Sequence, residues 1–317
     1  MPSCSTRGAV TADADEFRGI IRPVRNQLTF TVAGRFAAIA RTVNLHRLQM
    51  QSVQETLPRI LDGEPNPKRH AISFYMEPGP PMFTKGAEVG YSDLGLHNSR
   101  SIICHRLSGP TRWGSVSLPL EDWRAIGIAV AGRDLTPSPD LPTITPPEPA
   151  MERLRRLHAA AIRLGEHAPG LIANPEAARG LEQELIQAVI DCLGALPAED
   201  ATTAHRQHTT IIRRFRNAME ETADKAIYVP QVCAAIGVSD RTLRKCCQEH
   251  FGMGPKRYLF LRRMHLANQA LRRTTAAETS VTDVATEFGF WELGRFAVAY
   301  RSLFGESPSA TLRQMPR

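Results

Sequence analysis

Val229–Leu259 reads VPQVCAAIGVSDRTLRKCCQEHFGMGPKRYL, and Val281–Ser309 reads VTDVATEFGFWELGRFAVAYRSLFGESPS. In each stretch a short apolar helix runs into a glycine-bearing turn and then into a longer helix rich in outward-facing basic and polar positions. That pattern is the signature of a helix-turn-helix, in which one helix braces across the phosphate backbone while the next enters the major groove. A single such pattern is weak, because helical hairpins with glycine are common. Two in tandem, each closed by an F-G-x-x-P segment (Phe251–Pro255 and Phe304–Pro308), are a specific signal.

In the first stretch Val232, Cys233 and Ile236 are expected to face inward, Gly237 to supply the turn, and Ser239 to cap the following helix. Leu243, Cys247 and Phe251 would then be buried, leaving Asp240, Arg241, Thr242, Arg244, Lys245 and Gln248 outside. Arginine pairs with guanine and glutamine with adenine on the major-groove edge, so these side chains, with Ser239, are the candidate DNA contacts. In the second stretch Val281, Val284, Ala285 and Phe288 form the inner face of the bracing helix. Phe296, Tyr300, Leu303 and Phe304 bury the recognition helix, and Glu292, Gly294, Arg295, Val298 and Arg301 are left outside. Arg295 is the candidate base contact and Arg301 the candidate phosphate contact. Between the two units Tyr258–Arg273 reads as an amphipathic helix with Leu259, Leu261, Met264, Leu266, Ala267 and Leu271 buried. Such a connector could set two recognition helices in successive major grooves, about 34 Å apart.

The charge distribution agrees with this reading. Residues 205–317 hold 18 Lys/Arg against 10 Asp/Glu, whereas residues 1–204 hold 21 against 22. The basic excess thus belongs to the segment with the two motifs, as a phosphate-binding surface requires.

The same segment resembles the C-terminal DNA-binding domain of AraC/XylS-type bacterial transcription regulators. The resemblance rests on GVSDRTLRK (237–245), FGMGPKRYL (251–259) and DVATEFGF (283–290), continued by Arg295-Phe296, Tyr300-Arg301 and FGESP (304–308). It covers about a third of the chain. It implies a seven-helix domain over residues 205–317, binding asymmetric double-stranded DNA sites, with RNA polymerase as a further partner if the chain activates. Three positions depart from the pattern: Cys247 stands where a large aromatic is usual, Trp291 where a small polar cap is usual, and Gly294 lies inside the second recognition helix. A helical glycine costs roughly 1 kcal/mol against alanine, so the second unit's base contacts follow less directly than the first's.

Residues 1–134 have a different texture. LTFTVAG (28–34), HAISFYM (70–76), SIICHRL (101–107) and GSVSLPL (114–120) read as strands, separated by turn clusters such as DGEPNPK (62–68) and EPGPPMFTKGAE (77–88). Arg35–Met50 reads equally as strand or helix. Short strands at this spacing suggest a small β-barrel or sandwich, and architecture and domain order make it similar to the cupin-like sensory domain of the same family. The expected fold class is therefore α+β: an N-terminal barrel with a helical hairpin, and an all-α C-terminal domain. Residues 135–149 hold six prolines and read as a stiff extended connector rather than part of a core. Residues 150–197 read as the hairpin. One helix carries Met151, Leu154, Leu157, Ala161, Ile162 and Leu164. The other starts at Asn174-Pro175-Glu176, carries Leu181, Leu185, Ile186, Val189, Ile190 and Leu193, and ends at Gly194 and Pro197. Its apolar faces require either the barrel or a second copy of the chain, so a homodimer is one of two equal readings. The polar stretch PAEDATTAHRQH (197–208) separates the hairpin from the last domain.

No nucleophile elbow, glycine-rich phosphate loop or paired-histidine metal motif occurs, so no catalytic residue and no cofactor are expected. His70, His97, His105 and Cys104 raise the question of a metal, but the H-x-H spacing of metal-binding cupins is absent and ordinary core or surface histidines are the better reading. Trp113, Trp123, Phe74, Tyr75, Phe83 and Tyr91 could line a pocket for a small-molecule effector or simply fill the core. Arg106 and Arg112 could hold an anion or simply be solvated. Two other functional classes stay open: a reactive-cysteine or enzymatic module fused to a DNA reader, with Cys104 beside His105 and Arg106 as its thiol, and a barrel that only dimerises. The six cysteines (4, 104, 192, 233, 246 and 247) form no C-x-x-C pair, and Cys246 and Cys247, adjacent on a helix, are poorly placed for a disulfide. With a polar N-terminus and no apolar run near the roughly 20 residues a bilayer requires, a cytoplasmic protein with no membrane partner is expected.

Overall fold

The computed structural model describes residues 4–21, 25–194, 196, 203–221, 227–275 and 278–314. Pro197 and the first residues of the polar stretch after it lie outside these. Two compact units emerge, one formed by Met1–Leu28 with Phe36–Thr203 and the other by Thr29–Arg35 with Ala204–Arg317.

In order, the first elements are β1 (Ser5–Thr11), α1 (Ala14–Ile20), β2 (Arg25–Phe30), β3 (Ala38–Asn44), β4 (Gln49–Glu55), β5 (Arg59–Glu64) and β6 (Arg69–Tyr75). They are followed by β7 (Met82–Thr84), β8 (Ala87–Val89), β9 (Leu94–His97), β10 (Ile103–Leu107), β11 (Thr111–Pro119), α2 (Leu120–Ala131) and β12 (Thr143–Ile144). The helices α3 (Glu148–His167), α4 (Pro169–Ala173) and α5 (Pro175–Leu193) complete this part of the chain. The ambiguous stretch Arg35–Met50 resolves into β3 and the start of β4, an antiparallel pair closed by Leu45 N–H donating to the Leu48 carbonyl at 2.8 Å.

The expected closed barrel is not formed. The strands make two open sheets, one of seven in the order β1-β3-β4-β11-β6-β9-β12 and one of five in the order β2-β5-β10-β7-β8. Closure requires a continuous hydrogen-bonded ladder with a fixed stagger, and one edge strand of each sheet, β12 and β8, is too short to supply it. β12 pairs only Thr143 with Gly95 and Ile144 with Leu94, in a segment where prolines remove ladder donors. The hairpin of β7 and β8 has three residues per strand around Lys85 (φ 51°) and Gly86 (φ 84°), the positive pair that a tight two-residue turn demands.

Strand alternation divides the residues of the seven-stranded sheet between two faces. Val43, Met50, Ile72, Phe74, Val116 and Leu118 join the core with α2, α3 and α5. Thr42, Gln51, Ser73, Ser115 and Ser117 point the other way, where they line a cavity together with Leu61 and His105 of the five-stranded sheet. The helical hairpin is thus covered on its sheet side. Met151, Leu154, Ala161 and Ile162 of α3 and Leu185, Ile186, Val189, Ile190 and Leu193 of α5 are buried, with Leu157, Leu164 and Leu181 partly so. Gly165 lets α3 cross the sheet closely, since a Cβ there would stand 2.9 Å from Thr6 and 3.0 Å from Val43. Asn174 caps α5, accepting from the N–H groups of Glu176 and Ala177. The proline-rich segment is not a free connector: Leu135 and Ile144 are buried in the core, and Asn98 Nδ2 donates to the Pro137 carbonyl.

The second unit holds seven helices among the described residues: α6 (Thr203–Glu220), α7 (Val229–Ile236), α8 (Asp240–Phe251), α9 (Pro255–Arg273), α10 (Val281–Glu287), α11 (Leu293–Phe304) and α12 (Pro308–Arg313). α6 begins inside the polar stretch that reads as a separator. Phe251 of α8 stacks on Tyr258 of α9 at 4.1 Å between ring centroids, with Phe215 of α6 beside both. Further along, Met264, Ala267 and Leu271 of α9 meet Val284, Ala285, Phe296 and Tyr300. α9 is therefore the shared spine of both helix-turn-helix units.

Candidate DNA-binding surface

The first unit is built by local rules. α7 ends at Gly237 in the left-handed conformation (φ 69°), whose N–H donates to the Cys233 carbonyl. Two residues later Ser239 caps α8, its Oγ accepting from Thr242 N–H at 3.2 Å. The chain thereby reverses within three residues, and the start of α8 is held at a fixed angle to α7. Leu243, Cys246, Cys247 and Phe251 are wholly buried, as is His250. Cys246 shares the inner face with Cys247, so two small thiols are buried side by side in α8. Ser239, Asp240, Arg241, Arg244, Lys245 and Gln248 are exposed, and Thr242 is half-buried against Ser239. Arg244 is bound to Asp240, one turn earlier, at 2.8 Å.

The second unit repeats the architecture with different caps. Ser280 and Asp283 form a reciprocal capping box at the start of α10. Gly289 (φ 75°) makes the turn, and Phe290 N–H returns to the Ala285 carbonyl at 2.8 Å. Arg263 of α9 braces this turn, donating to the Gly289 carbonyl while its guanidinium lies 4.9 Å from the Phe290 ring centre. α11 starts without a side-chain cap. Phe296 and Tyr300 are buried, with Leu303 and Phe304 half-buried. Gly294, Arg295, Val298 and Arg301 are exposed, and Glu292 is half-buried and paired with Arg295 at 2.7 Å.

The two F-G-x-x-P segments have one mechanism. Gly252 (φ 69°) and Gly305 (φ 78°) end their helices in the left-handed region, and Pro255 and Pro308 open the next ones, where a missing N–H costs nothing. Sequence reading did not single out Lys256 and Arg257, both exposed in the first turn of α9. Their place beside a helix start, rather than any spacing of their own, makes them further cations on this unit.

In the first unit the cavity between the two sheets measures about 140 Å³. Trp113 alone of the six candidate aromatics lines it; Phe74 and Trp123 belong to the core on the helix side. His97 and His105 meet there edge to face at 5.5 Å, and His97 Nε2 lies 2.8 Å from Ser73 Oγ. Burial, then the nearby Lys85, pushes His97 down to about 3. Burial, then His97 and Arg59, holds His105 well below the ordinary histidine value. Both rings are therefore neutral, and the buried Nε2 of His105 has no hydrogen-bond partner. His70 stands apart, accepting from Ser99 N–H, so the histidines do not converge as a ligand set. Among the described residues no group of three or more His, Cys, Asp or Glu is placed to hold a metal ion. Arg106 lies over Phe83 and Arg112 is paired with Glu77, so neither is among the residues lining the cavity. These polar inner residues escaped sequence reading because a serine facing a cavity and one facing solvent occupy the same alternate strand positions.

Residues 232–314 match a helix-turn-helix domain family model. Over 106 residues the chain is 39% identical to a probable thc operon regulatory protein of Rhodococcus erythropolis, a match covering 33% of this chain and 32% of that protein. Over 96 residues it is 38% identical to a XylDLEGF operon transcriptional activator of Pseudomonas putida, covering 30% of each. The chain thus matches only about a third of the length of these curated relatives. Among solved structures it is similar to the AraC-like transcriptional activator CuxR, at 12% identity and a TM-score of 0.46, over 83% of this chain and 95% of that one.

Proposed function

We propose that this chain, whose C-terminal region is a tandem helix-turn-helix region of the AraC/XylS type, is a sequence-specific DNA-binding transcription regulator and not an enzyme. The observation that carries the reading is the partition of α8: Leu243, Cys246, Cys247 and Phe251 are wholly buried while Arg241, Arg244, Lys245 and Gln248 stand exposed behind a capped start. In this reading Ser239, Asp240, Arg241, Thr242, Arg244, Lys245 and Gln248 meet one major groove, and Glu292, Arg295, Val298 and Arg301 the next. Arginines within reach of guanine edges specify sequence, and those at the margins hold phosphates.

The N-terminal unit is the effector-sensing part. Its inter-sheet cavity, about 140 Å³, is close to the roughly 150 Å³ known to hold a benzene-sized guest, and the unpartnered Nε2 of His105 offers that guest one hydrogen bond. An effector acts by differential affinity for two arrangements of the protein. Homodimerisation and contact with RNA polymerase belong to the same proposal. A reactive-cysteine module is disfavoured, because Cys104 is only 1% exposed and a reactive thiol requires access. Among the described residues no helix is long and apolar enough to cross a membrane.

The test is selection of bound genomic fragments by the full chain at moderate salt. A shared site spanning two successive major grooves is expected. Binding without any enriched sequence would overturn the reading, leaving only electrostatic affinity.

A further inference from the structure

The two recognition helices offer DNA different chemistry. The outer face of α8 is wholly polar or charged, whereas that of α11 mixes exposed Leu293, Gly294 and Val298 with Arg295, Arg301 and Ser302. Trp291, just before α11, is 79% exposed, and Val298 within it is 73% exposed. Gly294 and Val298 are one helical turn apart, with Arg301 a turn beyond, so all three share one face. Gly294 has no internal reason to be glycine: a Cβ there would meet no atom within 4 Å, and glycine weakens a helix that any small residue would strengthen. A bare backbone on an exposed face suits the close approach of another surface. Among the described residues of this unit, Trp291 and Val298 are the most exposed large apolar side chains, and they offer apolar contact area at the recognition helix.

The exposed arginines on the same helix, Arg295 and Arg301, favour a polyanionic occupant for the patch. The one apolar group that the major groove presents is the C5-methyl of thymine. We infer that the second unit reads thymine methyl groups, with Val298 and Trp291 packing against them, Gly294 admitting the base edge, and Arg295, rather than reading a base as its position in sequence suggests, holding phosphate with Arg301. This rests on the regulator reading above and names the chemistry by which its second unit discriminates. The first unit specifies by hydrogen bonds; the second specifies by shape and apolar contact, at thymine-bearing steps.

The experiment uses the full chain and its selected site. Each thymine is replaced in turn by deoxyuridine, which keeps every hydrogen-bonding edge and removes only the methyl. Binding is expected to weaken about fourfold at one or two positions, the effect of one buried methyl-sized group. In Val298→Ser, an exposed substitution outside any core contact, the same replacement should leave binding unchanged at the thymine that Val298 covers, and Trp291→Ala should do the same at its own. If no thymine responds while the first unit's guanines and adenines still matter, the inference fails and the regulator reading stands. If thymines respond equally in wild type and Val298→Ser and in wild type and Trp291→Ala, the methyl contacts lie elsewhere and the assignment fails. If Val298→Ser lowers transcription without changing DNA affinity, the patch meets protein instead. If no site is selected at all, the regulator reading fails first and carries this inference with it.

Discussion

Both compact units pair arginine with carboxylate, and the two kinds of pair behave oppositely. In the sheet unit Arg59 and Glu55 are wholly buried, joined by two hydrogen bonds of 2.8 and 2.7 Å, and Trp113 Nε1 donates to the same carboxylate at 2.7 Å. In the helical unit Arg244–Asp240 is an exposed pair one turn apart, and Arg295–Glu292 a surface pair, also one turn apart, whose arginine is exposed and whose carboxylate is half-buried. A buried pair cannot open, because either ion alone in a dry interior is far costlier than the pair. An exposed pair contributes at most about 1 kcal/mol and exchanges freely with water. Its arginine can therefore leave the carboxylate for a phosphate or a guanine. The Arg59–Glu55 pair uses charge to hold a shape; the pairs on α8 and α11 keep charge on loan.

The largest expected effect comes from titrating what the sheet unit keeps dry. Burial, aided by Arg100, holds His70 down at about 4, and burial likewise holds His158 at about 4 despite its hydrogen bonds to backbone carbonyls. With His97 and His105 also depressed, four imidazoles stay neutral in the folded unit while the unfolded chain takes up protons below about 6.5. The unfolded state then binds more protons, so stability is complete above pH 6.5 and falls as pH drops toward 4. The slope is about 1.4 kcal/mol per pH unit for each such imidazole. Urea unfolding at pH 7.5 and pH 5, followed by the buried Trp113 and Trp123 in a Trp291→Phe background, checks this. A midpoint unchanged between the two would mean that the imidazoles are not dry.

Next in size is the buried pair itself. Glu55→Gln leaves the Arg59 charge without its partner and should destabilise the sheet unit by about 3–5 kcal/mol. Replacing Arg59 and Glu55 together by methionine and leucine should cost much less, because no orphan charge remains. Denaturation of both variants separates the two cases. Equal losses would show that the pair's packing, and not its charge, is what the interior requires.

The readable and unreadable parts of the chain divide along the same line. Gly237, Ser239, Gly252 and Pro255 act on their immediate neighbours, so helix boundaries in the second unit follow from residue types alone. Sheet closure depends instead on what the edges can pair with. The strands at 70–76, 101–107 and 114–120 read well, yet they do not reveal that β12 would be two residues long or that the sheets would stay open. The stretch 35–50 reads both ways in sequence because Arg41, His46 and Arg47 interrupt its alternation. The cavity was invisible because Ser73, Ser115 and Ser117 look like solvent-facing positions until the second sheet covers them. Glu182 is similar. Nothing near it in sequence shows that its carboxylate accepts from the Arg47 and Leu48 N–H groups, which ties α5 to the β3–β4 turn.

For the exposed charges, effects move from stability to specificity. Arg241→Ala should relax preference at one base pair, by about 1–3 kcal/mol if the arginine forms a bidentate contact. Arg301→Ala should weaken all sequences alike and reduce the salt slope by about 0.9, the loss of one phosphate contact. Competition binding at two salt concentrations distinguishes the two outcomes. A uniform loss from Arg241→Ala would remove it from the base readers.

The smallest effect tests the loan directly. Asp240→Asn removes the carboxylate that Arg244 holds at 2.8 Å, with both side chains more than half exposed. Stability should change by no more than about 0.5 kcal/mol, since the exposed pair contributes little and an asparagine keeps the hydrogen-bonding shape. DNA affinity should rise, because the arginine no longer has to be released and one negative charge facing phosphate is gone. The gain should shrink as salt is raised, since screening weakens both contributions. A loss of affinity would instead mean that Asp240 orients Arg244 for its base, and that the exposed pair, like the buried one, holds a shape.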